Sequence, residues 1–470
     1  QMRVANAEIV ISPSDRSGFL GCRHKTALDL AAAQKVLEKP RPNDPYAAIL
    51  AQHGADHEQQ YVDRLAAEGL TCVNVNPDRT QTEESLRRTL DAMRSGADVI
   101  VQARLEAGNI AGYADILRKV PTRSNLGNWS YEAHDTKLTR DTKGGTILQL
   151  SAYSHMLADM QGLMPEAFYV VTPVATERYL VADYAAYYRL VRRTLDQELA
   201  KGHEALMAEY YPEPVEACQM CAWERRCEER RRKDDHLSYI AGSSRTHRME
   251  LTAQGIPTLT AAATMAVPVQ FKPSRGARHT YDRLGHQARV QHQQRTERRP
   301  IVERLPIEPA KGLCRLPAPS PGDVFLDLEG ASFAREGGRE YLIGLHTRHG
   351  YSARWAFDDE QEKRAFEEVM DLLTKAVKAD PGLHIYHYNH YETTAFKKLA
   401  SRYVTRVDEL DALLTAERFV DLYPIVRQAV RAGVESYSIK KLEQYYGFTR
   451  AVDLANAHQP LLAIEIALDA

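Results

Sequence analysis

Two groups of alternating apolar and polar residues, far apart in the chain, most constrain what this sequence can fold into. The first covers residues 97–138, in which two alternating runs flank a turn at residues 106–109 and a third run follows. The second covers residues 323–391. A period of two predicts strands with one buried face, and apolar residues at helical spacing surround both groups. The pattern therefore predicts two separate α/β domains.

The length of the chain and a change in composition predict where these domains begin and end. With 470 residues, the chain is too long for one hydrophobic core. We predict one domain over residues 1–237 and another over residues 321–470. Residues 238–320 are rich in Ser, Thr, Gly and Pro, and nine Lys or Arg face three acids between Lys272 and Arg304. This composition predicts a linker or a small helical module with a basic face.

Residues 251–263, within that stretch, contain two short helical patterns around Gly255 and Pro257. Such an arrangement is typical of a helix-hairpin-helix, which binds phosphate through backbone N–H groups. An arginine-rich, solvated connector explains the same residues equally well. The sequence leaves both alternatives open.

The overall composition is that of an ordinary globular protein. Hydrophobic residues make up 44% and charged residues 26%, and the net charge is -2, so a nucleic-acid surface requires local clusters of basic residues. No apolar run approaches the roughly 18 residues of a membrane span, and no secretory signal is present. Six cysteines without an export signal favour a reducing compartment. We expect a cytoplasmic protein with no membrane partner, and the missing G-x4-G-K-[S/T] loop excludes an ATPase motor of that type.

Asp135 and Lys137 lie two residues apart in the third alternating run, so their side chains share one face of the predicted strand. On such a face the carboxylate can hold Mg²⁺ or Mn²⁺ while the lysine orients the attacking water beside a phosphate. The tripeptide alone is more often a solvated ion pair on an edge strand. Asp115 favours the metal interpretation, because an acid inside an apolar run is costly without a neutralising cation.

Residues outside the strands extend this candidate site. Gln149 and Tyr153 are four apart and share one face of a predicted helix, where they suit contacts with phosphate or base. His57 begins an earlier helical segment and could supply a nitrogen ligand to the same metal.

These residues, in this order, resemble the motif set of the RecB-family PD-(D/E)xK nucleases. The resemblance covers about half of the chain and implies a restriction-endonuclease-like fold that cuts DNA. Glu132 is the main rival as a ligand, but it points to the opposite face of the strand. The resemblance implies that the metal is bound by His57, Asp115, Asp135 and the carbonyl group of Thr136, that Lys137 is the catalytic lysine, and that Gln149 and Tyr153 position DNA.

Four of the six cysteines form a second pattern, with Cys22 near the N-terminus and C-x2-C-x5-C at Cys218, Cys221 and Cys227. Zinc sites usually combine two close pairs, so this spacing favours an iron-sulfur cluster. It resembles the iron-sulfur nucleases of the same superfamily, among them the AddB subunit and the CRISPR spacer-acquisition nucleases. The resemblance implies that the four cysteines ligate a [4Fe-4S] cluster that joins the two ends of the domain. Zinc at the same ligands and uncoordinated core cysteines remain alternatives, and the two other cysteines are interpreted as buried thiols.

Asp327 and Glu329 place two carboxylates on one face of an apolar strand in the second domain. The pair can bind two metal ions where other acids converge on it, or it can be a strand end with solvated charge. The segments that follow resemble the DEDD exonuclease branch of the ribonuclease H fold, most closely the YprB-type domain. The resemblance implies that Asp327 and Glu329 are the first acids and that Glu392 and Asp421 are candidates for the next, although Glu392 stands where the family has aspartate.

The last motif of that family, an aspartate-bearing helix after residues 436–448, is not found before Ala470. We therefore expect the ribonuclease H-like domain to be truncated and its site to be inactive. RecB-like and YprB-like halves in tandem resemble a bacterial family of large nucleases that continue into a superfamily 1 helicase. We expect this chain to be the N-terminal part of such a longer protein.

Together these features predict a Mg²⁺- or Mn²⁺-dependent nuclease that cuts single-stranded or free-ended DNA in repair, recombination or defence. Two alternatives remain. In the first alternative, the chain is a non-catalytic nucleic-acid-binding module that feeds a helicase. In the second, it is an exonuclease that acts on RNA through its ribonuclease H-like domain.

Overall fold

The computed structural model describes residues 2–5, 8–40, 45–77, 82–139, 141–331, 337–450, 463–464 and 467–468. The chain divides into two compact units, Gln1–Arg230 and Arg231–Ala470, and both mix helices with strands. None of the helices in these ranges has the length and apolar character needed to cross a membrane.

The first unit is built on a mixed sheet. Its strands are β1 (Arg3–Ala5), β2 (Glu8–Val10), β3 (Cys72–Asn74), β4 (Val99–Ala107), β5 (Ile110–Val120), β6 (Ser130–Thr136), β7 (Ala167–Val171) and β8 (Thr176–Leu180). β1 pairs with β2, and the other six form one sheet in the order β3-β4-β5-β6-β7-β8. β4 and β5 are the predicted hairpin, whose turn contains Gly108 at a φ of 55° that glycine adopts without a steric penalty. The third predicted strand is β6, antiparallel to β5 and parallel to β7.

Helices cover this sheet. They are α1 (Pro13–Gly21), α2 (Arg23–Ala33), α3 (Pro45–Ala67), α4 (Thr82–Ser95), α5 (Gly144–Gln161), α6 (Val181–Ala200), α7 (His203–Glu209) and α8 (Glu224–Lys233). α5 is buried along most of its length and packs against β4, β6 and β7, which places its side chains over the centre of the sheet.

The second unit is built on a five-stranded sheet in which antiparallel and parallel pairs both occur. Its strands are β9 (Val302–Arg304), β10 (Val324–Ala331), β11 (Arg339–Thr347), β12 (Gly350–Trp355), β13 (Ile385–His387), β14 (Phe419–Asp421) and β15 (Val430–Ala432). The sheet order is β12-β11-β10-β13-β14, with β15 and β9 forming a separate pair. β11 and β12 are the predicted hairpin.

The helices of the second unit include the segment between the two predicted domains. They are α9 (Arg245–Ala253), α10 (Leu259–Thr264), α11 (Arg278–Glu297), α12 (Asp359–Ala379), α13 (Tyr391–Tyr403), α14 (Val407–Thr415), α15 (Leu422–Ala429) and α16 (Ile439–Leu442). α9 and α10 are the two short helices predicted around Gly255. They share a small core with α11, and Gln287 of α11 donates to the Ala432 carbonyl oxygen at 2.8 Å. Residues 238–297 are therefore a packed helical module and not a solvated connector.

Candidate active site

Asp115 and Asp135 bring two carboxyl groups together within the sheet of the first unit. They lie on antiparallel strands, beside the Ile116–His134 pair that fixes the β5–β6 register. Thr136 donates its backbone N–H to Asp115 Oδ2 at 3.1 Å. Asp135 is 1% exposed, and burial, followed by the charge of Asp115, raises the pKa of its carboxyl group. Two acids that the sequence places on separate strands thus meet in a buried position.

Lys137 supplies a positive charge to this pair of acids. Its Nζ forms an ion pair with Asp135 Oδ2, and its backbone N–H donates to the Val171 carbonyl oxygen at 2.9 Å. Burial lowers the pKa of Lys137, but the charges of Asp135 and Asp115 outweigh burial and the pKa is raised. One ammonium therefore faces two carboxylates. This donor set fits a divalent cation, which would neutralise the excess negative charge.

Gln149 and Tyr153 reach the same place from α5. Gln149 Nε2 donates to Asp135 Oδ1 and to the Tyr153 hydroxyl, each at 3.3 Å. The Tyr153 hydroxyl donates to the Tyr113 carbonyl oxygen at 2.5 Å, which ties the helix to β5. Burial, and then the charges of Asp115 and Asp135, raise the pKa of Tyr153, so this residue remains a neutral hydrogen-bond donor.

His57 contacts the backbone at the end of β7. Its Nε2 lies 3.1 Å from the Val171 carbonyl oxygen, which also accepts the backbone N–H of Lys137. A ring nitrogen that donates to a carbonyl oxygen carries a proton, so Nδ1 is the nitrogen of His57 that could bind a metal. Within the described ranges, no three His, Cys, Asp or Glu side chains are grouped so that they could hold a metal ion. His57 is thus not grouped with Asp115 and Asp135 in the described ranges, and its role as a metal ligand stays a prediction.

Glu58 and Gln102 also lie beside this site. Gln102 is on β4 across from Asp115, and its Nε2 donates to Glu58 Oε1 at 2.7 Å. Its φ of 55° is rare for a residue with a side chain and costs on the order of 1 kcal/mol. The charge of Glu58 contributes to the raised pKa of Lys137. The alternation of apolar and polar residues in β4 does not reveal the positive φ of Gln102. For Glu58, the sequence signal is its position next to His57, a predicted site residue.

Two smaller expectations have different outcomes. Glu132, the rival ligand, accepts the backbone N–H of Ala167 at 3.0 Å, so its carboxylate is used away from the Asp115–Asp135 pair, as predicted. The two isolated cysteines were expected to be buried, and this is wrong for both: Cys72 is half-buried and Cys314 is exposed.

The four cysteines of the predicted cluster are half-buried and form no disulfide. Cys22 caps the N-terminus of α2, where its Sγ accepts the backbone N–H of Lys25 at 3.4 Å, and Cys221 lies within electrostatic range of Lys25. Trp223 donates its indole N–H to Asp29 of α2 at 2.9 Å. The two cysteine-bearing segments are therefore adjacent. The four thiols are nevertheless not assembled into a metal-binding group in the part of the chain that the structure describes.

Asp327 and Glu392 are the acids that come closest to forming a site in the second unit. Burial, and then the charge of Glu392, raise the pKa of Asp327 on β10. Glu392 is 4% exposed, and its Oε2 lies 3.4 Å from His387 Nδ1. Burial lowers the pKa of His387, but its hydrogen bonds and the Glu392 charge outweigh burial and the pKa is raised.

Asp421 and Glu329 are the two other candidate acids of the second unit. Asp421 Oδ1 accepts the backbone N–H groups of Asn389 and Tyr423 at 2.8 and 2.9 Å, so Asp421 caps the N-terminus of α15. Glu329 lies on the same face of β10 as Asp327, as predicted, because both side chains alternate with the buried Leu326 and Leu328.

Residues 324–462 match the family model RNase_H_2 of the RNase H superfamily. The second unit thus contains a ribonuclease H-like domain, which indicates a nuclease-type function for this part of the chain. Nucleases with this fold use divalent metals such as Mg²⁺. No curated protein matches the chain.

Proposed function

We propose that this chain is a Mg²⁺- or Mn²⁺-dependent DNA nuclease of the RecB-like PD-(D/E)xK class, with its main site in the first unit. The observation that carries the proposal is the convergence of Asp115, Asp135 and Lys137 from adjacent strands. The order of the site residues along the chain supports the class and its restriction-endonuclease-like fold. The proposed substrate is single-stranded or free-ended DNA, and the proposed setting is repair, recombination or defence in the cytoplasm.

Each side chain has a distinct role in this proposal. Asp115 and Asp135 would hold the cation, which when bound offsets charge on a phosphate and lowers the pKa of a bound water. Lys137 has a raised pKa and stays protonated, so it orients the water and stabilises negative charge instead of accepting a proton. Gln149 fixes the orientation of Asp135 through its hydrogen bond.

Cleavage of an end-labelled single-stranded DNA in the presence of Mn²⁺ tests the proposal. Asp135→Asn should lower the rate on the order of 100-fold, because a group that holds the charge-stabilising cation is lost. Asp98→Asn is the matched control, since Asp98 is an ion-paired acid immediately before β4, 2.5 Å from Lys119 of β5. Its rate should match that of the unchanged protein. Equal cutting by Asp135→Asn and the unchanged protein would exclude the first unit as the source of activity.

The ribonuclease H-like domain gives a second candidate, an exonuclease that acts on RNA. The observations that favour it are the family match and the proximity of Asp327 to Glu392. The same assay with an RNA strand tests it through Asp327→Asn, with Asp371→Asn as a control at an exposed ion pair. Loss of RNA cleavage in Asp327→Asn alone supports this candidate. Binding without cleavage of either strand supports a nucleic-acid module that serves a superfamily 1 helicase, in a longer protein or as a partner.

We also propose that the four clustered cysteines bind a [4Fe-4S] cluster, with zinc as the alternative. The spacing of the cysteines supports this proposal, as does the packing of Trp223 against α2, although the described thiols are not themselves grouped around a metal. Purified protein should be brown and absorb broadly at about 400 nm, as thiolate-bound iron clusters do. Cys221→Ser should lose the colour and the exposed Cys314→Ser should keep it. Colourless protein with bound zinc supports the alternative, and metal-free protein contradicts both.

A further inference from the structure

A cavity of about 240 Å³ lies between the start of α1 and strands β1, β4 and β5 of the first unit. Its lining contains two guanidinium groups and no carboxylate. Its polar lining residues are Arg3, Ser12, Ser14, Arg104, Tyr113 and Tyr153. Two cationic groups and several hydroxyls around a partly open cavity are the chemistry that recognises phosphate.

Arg104 is the fixed element of this cavity. Its side chain is 2% exposed, and its Nε and Nη2 both donate to Glu106 Oε1, at 2.8 and 2.6 Å. The guanidinium also lies over the Tyr113 ring, 5.0 Å from the ring centre. Glu106 is 39% exposed, so solvent screens this ion pair from the Glu106 side. These contacts occupy Nε and Nη2, and Nη1 is the remaining donor group of this guanidinium.

The start of α1 forms the opposite wall. Gly112 of β5 allows its close approach, because a Cβ there would lie 2.7 Å from Pro13 Cδ and 3.3 Å from the Tyr153 ring. Ser12 and Ser14 lie at the first turn of this helix, with their hydroxyl oxygens 3.0 Å apart. Asp15 caps this end of α1, because its Oδ2 accepts the Ser12 backbone N–H and the Ser12 hydroxyl, each at 2.8 Å. The charge match to an anion therefore depends on the two arginines.

The cavity adjoins the candidate active site through a shared side chain. The Tyr153 ring lines the cavity, and its hydroxyl contacts Gln149, which contacts Asp135. A phosphate in the cavity would therefore lie one side chain away from the carboxylate pair. A terminal phosphate carries nearly two negative charges and an internal phosphodiester carries one, so the two arginines match a strand end better.

We infer that this cavity binds the terminal phosphate of a DNA strand, so that the nuclease works from phosphorylated ends. This inference rests on the proposed nuclease function, because it names the substrate end that the site recognises. Because the inference concerns binding of the strand, it can be tested even if the protein cleaves no strand.

Fluorescence anisotropy in EDTA tests the inference with three otherwise identical single strands that carry a 5′-phosphate, a 3′-phosphate or only hydroxyl ends. One phosphorylated strand should bind about tenfold more tightly than the hydroxyl strand, as expected for one or two charge-assisted contacts. Arg3→Ala and Ser14→Asp should each remove this preference. Ser14→Asp adds an acid to the first turn of a helix, where an acid is stabilising, so the variant should fold.

Arg178→Ala is the control, because Arg178 is, like Arg3, an exposed arginine of the first unit but does not line the cavity. Arg178→Ala should change the affinity for all three strands by the same factor, or leave it unchanged. It should keep the preference for the phosphorylated strand over the hydroxyl strand. Equal binding of the three strands by the unchanged protein overturns the inference, and so does a preference that survives in both cavity variants. Competition by inorganic phosphate without any preference among strands would show a free-anion site and also overturn it. A clear preference in a protein that cleaves no strand would instead contradict the nuclease proposal.

Discussion

Replacement of Asp135 by asparagine should stabilise the metal-free protein, although the change removes a residue of the proposed active site. Asp135 is 1% exposed, and burial together with the nearby charge of Asp115 raises the pKa of its carboxyl group. A carboxyl group with a raised pKa loses stability as the pH rises from its value in the unfolded chain, about 3.9, towards its folded value. Asparagine has the same shape and no charge, so it avoids this loss.

The size of the effect follows from two opposing contributions. Each unit by which folding raises the pKa of a carboxyl group costs about 1.4 kcal/mol above that pKa, and buried acids shift by several units. The variant gives up the ion pair with Lys137, whose side chain is 31% exposed, and this offsets part of the gain. We expect the free energy of unfolding to rise by about 1–2 kcal/mol at pH 8. For a unit of this size the Tm should rise by roughly 2–6 °C.

Scanning calorimetry in EDTA at pH 5 and pH 8 measures this effect. The gain of Asp135→Asn should be larger at pH 8, and added Mn²⁺ should raise the Tm of the unchanged protein but not that of the variant. Asp98→Asn should behave in the opposite way, because the hydrogen bond from Lys119 lowers the pKa of Asp98 and its charge is stabilising. A lower Tm for Asp135→Asn at pH 8, or a gain that is larger at pH 5, would refute the reasoning.

Three further changes test the packing around the candidate sites. Trp223→Phe removes the indole N–H that donates to Asp29 and leaves space in a position that is 2% exposed, so urea unfolding should show a loss of about 2 kcal/mol. Gly162→Ala should cost more than about 1 kcal/mol in the same measurement, because Gly162 ends α5 at a φ of 70° and a Cβ there would lie 2.5 Å from Asn125 Cγ, whereas Gly144→Ala, with open space around it, should not destabilise. Glu362→Gln should cost about 3 kcal/mol in thermal unfolding, because its fully buried carboxylate accepts hydrogen bonds from a backbone N–H, an arginine and a tyrosine. An unchanged unfolding midpoint for Trp223→Phe, Gly162→Ala or Glu362→Gln would show that the feature replaced contributes no net stability.

The convergence of the two acids could be predicted because it depends on local rules. Alternation puts Asp135 and Lys137 on one face of their strand, and the turn around Gly108 pairs β4 with β5. Asp115 then needs only an antiparallel neighbour to meet Asp135. Each of these steps is determined by residues that are close in sequence, so periodicity is sufficient.

The contacts of His57 and Gln102 could not be predicted, because they depend on tertiary packing. The position of His57 opposite the Val171 carbonyl oxygen depends on how α3 lies on the sheet, which the helical pattern does not specify. The positive φ of Gln102 is a local distortion that the surrounding strands impose. The composition of residues 238–297 left a small helical module and a solvated connector equally open, and the core that Leu251 and Leu284 share decides between them.

The most direct test of the central claim is the rate of Mn²⁺-dependent cleavage of single-stranded DNA by Lys137→Ala and Lys119→Ala. Both changes remove an ion-paired lysine from the same sheet, with Lys137 paired to Asp135 and Lys119 to Asp98. We expect Lys137→Ala to cut on the order of 100-fold more slowly than the unchanged protein. Lys119→Ala should cut at the unchanged rate. Equal rates for the two variants would contradict the claim that Asp115, Asp135 and Lys137 form the catalytic centre.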